Sequence, residues 1–199
     1  MCDTSRGEMG TEERARAFLE QLRWPYGIRC PRCDRATGIS RLATRGQFEC
    51  EGCGYHFSVR VGTVLHGSRL PLSKWVLAVY LMTESEVGIT ANQLGQMLGV
   101  SYKTAWFLSH RIRIAMRDEA GNLIMAEPYG DGIPQQRMAL LRRAVVNAHR
   151  WPDDKHLAAY LDEAAFRIAH RDDEHRFHDT LVRLLQSDAV PYAELTAER

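Results

Sequence analysis

The chain has 199 residues, 26 Lys plus Arg against 25 Asp plus Glu, and 45% hydrophobic residues, a balance that suits one or two soluble domains and excludes a disordered chain. Its longest uninterrupted apolar run, Trp75 to Met82, is far short of the roughly 20 residues that a membrane helix needs. The acidic start (Asp3, Glu8, Glu12, Glu13) is unlike a signal peptide, so a soluble, intracellular chain is expected.

The net charge of +1 hides a segregation along the chain. Residues 1–22 carry 3 positive and 5 negative groups, residues 23–117 carry 13 and 5, and residues 118–199 carry 10 and 15, for nets of −2, +8 and −5. A basic block between acidic ends is the footprint of a polyanion-binding module, because neutralising phosphates releases condensed counterions. A solvated basic face without a partner gives the same arithmetic.

In chain order, the first predicted element is a helix. Thr11 suits its N-cap, Glu12 and Glu13 its first turn, and Ala15, Phe18, Leu19 and Leu22 form one stripe. The helix should stop at Trp24-Pro25. Four of the five cysteines then fall as Cys30-x2-Cys33 and Cys50-x2-Cys53 with sixteen residues between the pairs, a spacing that reads as a tetrahedral zinc site. Pro31, Gly52 and Gly54 supply turn chemistry around the knuckles. Disulfides are the competing reading, but an intracellular chain keeps such thiols reduced. Four thiolates leave no open position, so one structural zinc ion is expected. Cys2 is given no role.

From Tyr55 the apolar Tyr55, Phe57, Val59 and Val61 alternate with His56, Ser58, Arg60 and Gly62, the pattern of a small β ribbon. His56 is read as an exposed strand residue rather than a ligand, and Arg60, on the same polar face, as a candidate DNA contact. An apolar helix from about Lys74 to Thr83, capped by Ser73, should be buried on most sides. Next, Thr90 caps a short helix, Ala91 to Leu98, which stops at Gly99, and Ser101 caps a longer one reaching about Arg117.

Two helices around a turn of about three residues form the helix-turn-helix arrangement. Its packing positions fall on Leu94, Gly95, Leu98, Val100, Ala105 and Leu108. That register turns Ser101, Tyr102, Lys103, Thr104, Phe107 and His110 outward at the end that reaches base edges in such motifs. Arg111, Arg113 and Arg117 are spaced to grip the phosphate backbone. Core packing is the competing reading for Trp106 and Phe107, and a plain helical hairpin for the whole motif.

These residues carry a resemblance. The run through Arg23-Trp24-Pro25, both cysteine pairs, Gly54-Tyr55-His56-Phe57-Ser58, Gly62-Thr63, Leu70-Pro71-Leu72-Ser73-Lys74-Trp75, Gly99-Val100-Ser101-Tyr102-Lys103-Thr104-Ala105-Trp106 and His110-Arg111-Ile112-Arg113 resembles the N-terminal region of bacterial insertion-sequence transposases with a zinc ribbon and a DDE core. The tail, His156-Leu157, Tyr160-Leu161-Asp162-Glu163, Phe166-Arg167 and His170-Arg171, is similar to the segment that closes them. The resemblance implies DNA transposition and recombination by two metal ions on an RNase H-like fold. Two departures stand against that chemistry. Ala126, in Met125-Ala126-Glu127-Pro128-Tyr129, stands where the first catalytic aspartate is expected, and an alanine cannot hold a metal. Only residues 118–154 separate the two matching regions, too few for a domain that typically needs around 100 residues or more.

The expected fold is therefore mainly α with a small β zinc ribbon. It divides into an N-terminal helix and ribbon (1–66), a helix-turn-helix region (67–118), a Gly/Pro-rich linker (119–136) and a C-terminal helical region (137–199). In the last of these, Met138, Leu141, Val145 and Val146 line a helix over 135–149; Leu157, Tyr160, Leu161, Ala164 and Ile168 line a second; and Phe177, Leu181, Leu184 and Leu185 line a third. The acids and histidines of this tail (Asp153, Asp154, Asp162, Glu163, His170, Asp172, Asp173, Glu174, His175, His178) read as helix-start carboxylates and surface groups rather than an active site. Its helices offer an apolar seam for a homodimer or a partner protein.

The expected function is a zinc-stabilised, transposase-derived, non-catalytic binder of double-stranded DNA, a regulator or a degenerate transposase recognising element ends. It would be cytoplasmic, prokaryotic and nucleoid-associated when bound, with no membrane and no small-molecule substrate. An active DDE transposase or nuclease, and a module that docks on a partner transposase, are the alternatives.

Overall fold

A computed structural model describes residues 12–42, 46–117 and 154–190. Thr11, Cys2, the segment around Ala126, the linker and the helix expected over 135–149 lie outside them. Among the described residues the chain forms α1 (Glu12–Arg23), β1 (Ile39–Leu42), β2 (Gln47–Cys50), β3 (Tyr55–Phe57), α2 (Leu72–Glu84), α3 (Ala91–Leu98), α4 (Tyr102–Met116), α5 (Asp154–Ala169) and α6 (Arg176–Gln186). The fold is mostly helical with one small sheet, as expected. The described residues fall into two compact units, one holding residues up to 76 with 181–190 and the other those between 77 and 180, so that the division runs within α2 and α6.

In the first unit α1 ends at Arg23, ahead of Pro25, and buries Ala15, Leu19 and the stem of Glu20. The three strands form an antiparallel sheet in the order β1-β2-β3, with Ile39 opposite Cys50 and Phe48 opposite Phe57. One face of this sheet carries the ribbon core. Trp24 stands edge-on to Phe48 and Phe57 at centroid distances of 5.6 and 6.0 Å, beside buried Cys30 and Cys50. Edge-to-face packing of this kind is favoured by the ring quadrupoles.

The strand expected over residues 55–62 is shorter. It ends at Phe57, and the chain then turns repeatedly through 59–67. The physical reason is Arg23, whose guanidinium donates to the carbonyls of Ser58, Val59 (2.8 Å) and Val61 (2.6 Å). Those carbonyls serve a side chain instead of a fourth strand, and Val59 still buries its side chain.

A second correction concerns the start of α2, which lies at Leu72, two residues before the expected position, and is not capped by Ser73. The Glu12 carboxylate of α1 accepts from the backbone N–H of Leu72 (2.9 Å) and Ser73 (3.1 Å). Pro71 precedes the helix and has no side-chain acceptor, so a carboxylate distant in sequence satisfies the free donors and opposes the helix dipole.

In the second unit, α3 and α4 follow the expected boundaries. Thr90 and Gln93 form a reciprocal capping box, and Ser101 accepts from the Thr104 N–H. Gly99 ends α3 in the left-handed region (φ 61°, ψ 48°) and its N–H turns back to the last carbonyls. Gly95 permits the close crossing of the two helices, since a Cβ there would stand 3.1 Å from the Val100 carbonyl oxygen and 3.4 Å from the Ala105 Cβ. Leu94, Leu98, Ala105, Leu108 and Ile112 are buried.

α5 packs along α4. Contacts ascend in both helices, from Trp106 with His156, through His110 with Tyr160, to Arg113 with Glu163, so the two run in the same direction. Leu161, Ala164, Ala165 and Phe166 are buried, whereas Ile168, expected on the apolar stripe, is 54% exposed. By that register the last residue of α4, Met116, stands level with about Phe166, so Ile168 lies past the end of α4. In α6, Leu181, Leu184 and Leu185 are buried as expected, and Phe177 meets Tyr80 edge-on at 5.6 Å. That helix starts at Arg176, after the acids Asp172–Glu174, and Asp173 accepts from the His175 N–H in the turn before it. No helix among the described residues is long and apolar enough to cross a membrane.

Candidate metal centre and nucleic-acid interface

Two knuckles of the same form bring the four thiols together. In the first, the Asp34 N–H donates to the Cys30 carbonyl at 2.9 Å; in the second, the Gly54 N–H donates to the Cys50 carbonyl at 2.7 Å. The residue after the second cysteine of each pair has positive φ, 55° at Asp34 and 64° at Gly54. The non-glycine of the two is supported by Arg29, which donates to both the Asp34 carbonyl (3.0 Å) and its carboxylate (2.9 Å). Gly52, expected as a turn residue, has no positive φ and instead leaves room for the Arg35 guanidinium.

The four sulfurs of Cys30, Cys33, Cys50 and Cys53 lie within 4.8 Å of one another, with Cys30–Cys53 at 3.7 Å and Cys33–Cys50 at 3.6 Å. Four sulfurs at about 2.3 Å from one ion in tetrahedral array stand about 3.8 Å apart. The cluster therefore fits one structural zinc ion. With thiols in place of thiolates, protons are held unequally. Burial pushes the Cys30 thiol up, but the N–H groups of Arg32 and Cys33, together with the thiols of Cys33 and Cys53, outweigh it and bring the group down to about 7. Cys53 is pushed up to about 12, by burial first and then by its thiol neighbours. A cation at the centre replaces those protons. His56 lies outside the cluster, exposed on β3, with its Nε2 3.4 Å from Glu49.

The residues expected to meet DNA separate into three groups. Ser101, Tyr102 and Lys103 are exposed at the start of α4, and Tyr102 keeps 61% of its surface open. Thr104 and Phe107 are half-buried, and the hydroxyls of Ser101 and Thr104 lie 2.9 Å apart within the cap. The third group departs from expectation. His110, Arg111 and Arg113 are buried, at 4%, 6% and 1% exposure.

For His110 and Arg113 the cause is the pairing of α4 with α5. Helical periodicity puts Tyr102, Trp106, His110, Arg113 and Arg117 on one stripe, and α5 occupies it. Trp106 stacks on His110 at 4.2 Å and stands across from His156 at 5.2 Å. Arg113 donates to Glu163 (2.6 Å) and Ser109 (3.1 Å) and lies over the Tyr160 ring at 4.0 Å. Arg117 donates its Nε–H to Asp162 at 2.9 Å. Burial pushes the Asp162 carboxyl up, and Arg117 pulls it back. On another side of the helix Lys103 is exposed, Thr104 and Phe107 are half-buried, and the Arg111 guanidinium lies 4.3 Å over the Phe107 ring.

Arg60 is likewise not an outward strand residue. It sits half-buried in a turn, donates to the carbonyls of Ser68 (2.9 Å) and Leu70 (2.7 Å), and pairs with Glu12 at 3.5 Å. Sequence reasoning missed the Arg23 clamp, the Glu12 cap and the Glu163–Arg113 pair. A signal existed for the last, because Glu163 stands three residues from Tyr160 on the flank of an apolar stripe, where an unpaired charge is costly.

Comparison with known proteins agrees with the metal centre. Residues 10–56 match the family described as the transposase zinc-ribbon domain. Over 99 residues, 48% of the chain, it is 37% identical to the "Uncharacterized protein in transposable element ISH50" of Halobacterium salinarum. The match spans about a third of that relative's length, 33%. No solved structure matches the chain. The similarity is thus to transposase-related proteins, and the N-terminal part is similar to the transposase zinc ribbon.

Proposed function

We propose that this is a zinc-stabilised, transposase-derived DNA-binding protein in which α3 and α4 act as a helix-turn-helix and the chain performs no strand transfer. The observation that carries the reading is the exposed start of α4. Tyr102 and Lys103 project beyond a turn closed by left-handed Gly99, with Ser101 and Thr104 fixing the first turn. In helix-turn-helix proteins this end of the second helix reaches base edges in the major groove. Lys103 supplies charge for a guanine or a phosphate, and Tyr102 supplies a hydroxyl and a ring face. The similarity to a protein of a transposable element supports duplex DNA as the partner, with a cytoplasmic location at the nucleoid. Ala126, in place of the expected aspartate, and the short stretch 118–154 support a non-catalytic role.

The test is a titration of labelled duplexes with the full-length, zinc-loaded chain across a salt series, followed by selection of bound duplexes from random sequence. Affinity that falls steeply with salt, and a convergent motif, are the expected results. Metal-dependent cleavage or joining by the purified chain would instead make it an enzyme. Co-purification with a partner transposase without duplex binding would make it a docking module.

A further inference from the structure

We infer that Asp162 is a built-in competitor for the phosphate that Arg117 takes when duplex lies along α4, so that the acidic flank of α5 tempers the DNA affinity of the helix it packs against. The inference rests on the reading of α4 as a DNA-binding helix and concerns how that same surface is regulated. Among the described residues two ion pairs join α4 and its C-cap, Arg117, to α5, and they differ in kind. Arg113 and Glu163 expose 1% and 0% of their side chains, so no phosphate reaches them and the pair acts as a brace. The Arg117 side chain is 48% exposed while Asp162 is 13% exposed, so the cation is accessible and its acid is held in place.

Position favours the exchange. Arg117 follows Lys103 by 14 residues, which places it about 40° round the helix and roughly 21 Å along it. Arg117 lies at the end of the stripe that α5 covers, yet its side chain is 48% exposed, and the C-terminal end of a recognition helix is a known site of backbone contact. The bond to Asp162 uses the Nε–H edge of the guanidinium, and a phosphate claims the same planar fork. When Arg117 leaves, Asp162 remains half-buried without its cation. Duplex binding must meet that penalty together with the repulsion between carboxylate and phosphate.

The experiment measures duplex affinity of the full-length, zinc-loaded chain over a salt series for wild type, Asp162→Asn, Asp162→Glu, Arg117→Ala and the Asp162→Asn/Arg117→Ala pair. Asp162→Asn should bind about two- to fivefold tighter at low salt, the range of an exposed ion pair, with an unchanged slope of log affinity against log salt, since the same phosphates are contacted. Asp162→Glu should bind as wild type. In the double variant the gain over Arg117→Ala should vanish. Asp162→Ser replaces Asn if circular dichroism shows a perturbed fold. Equal or weaker binding by the charge-removing variant, or a gain that persists without Arg117, overturns the inference while leaving α4 as a DNA-binding helix. Absence of salt-dependent duplex binding by wild type overturns that reading, and the inference with it.

Discussion

The zinc ribbon and the α3–α4–α5 helices both use arginine as a brace, but only the ribbon turns it onto backbone as well as onto carboxylates. In the ribbon unit Arg23 and Arg60 turn their guanidiniums onto backbone carbonyls of a segment without regular structure, and so stand in for a missing strand. Among the helices Arg113 and Arg117 meet carboxylates of α5, and so fasten one helix to another. The ribbon has few large apolar side chains and needs a metal to complete its centre, whereas the helices bury Leu94, Leu108, Ile112, Met116 and Phe166 without one. A basic excess in sequence therefore does not measure the charge offered to a partner, because Arg23, Arg29, Arg41, Arg60, Arg113 and Arg117 are all engaged within the fold.

That contrast is open to direct attack. The largest effect should come from the metal. Chelation, or Cys50→Ala, should remove an apparent binding free energy on the order of 10 kcal/mol that the ribbon uses to fold. Tertiary signals of Trp24 and Phe57 should be lost while most far-UV helical signal is retained; collapse of both together would erase the distinction between a metal-built and a core-built region. Next in size, Glu163→Ala leaves Arg113 buried without its carboxylate and should lower unfolding free energy by about 3–5 kcal/mol in denaturant titration. Because the 7%-exposed Arg167 also faces Glu163 at 3.6 Å, recovery of most of that loss should need all three groups made apolar, Arg113→Met, Arg167→Met and Glu163→Leu.

Gly95→Ala presses a methyl against the Val100 carbonyl at 3.1 Å and should cost about 1–3 kcal/mol, the usual range for overpacking, seen as a lowered melting temperature. The smallest change in stability should follow Lys103→Ala, within about 0.5 kcal/mol for an exposed site. Duplex affinity should nevertheless fall, and the salt slope should shrink by about 0.9. A Lys103→Ala chain that binds duplex as wild type does would remove the start of α4 from the interface.

How much was legible in the sequence follows the range of the interactions. The zinc ligands were legible because two tight turns bring each cysteine pair together locally. α3 and the start of α4 were legible to the residue because Thr90, Gln93, Gly99 and Ser101 satisfy backbone groups three to four positions away. β1 was not, since Ile39-Ser40-Arg41-Leu42 becomes a strand only by pairing with β2. The start of α2 was misjudged because its cap, Glu12, lies 60 residues earlier. His110, Arg111 and Arg113 were misjudged because a helical wheel counts faces without knowing which are covered.

A four-cysteine ribbon, a pair of helices around Gly99 and a similarity to transposase-related proteins can thus be read from residue order alone, since all are written in contacts of short range. Which basic residues remain at the surface was settled by packing. Arg113 and Glu163 are 50 positions apart, and a charge at such a distance finds its partner through the docking of α5 on α4 rather than through any local pattern. The same packing leaves Lys103 outward and puts Arg117 within reach of Asp162.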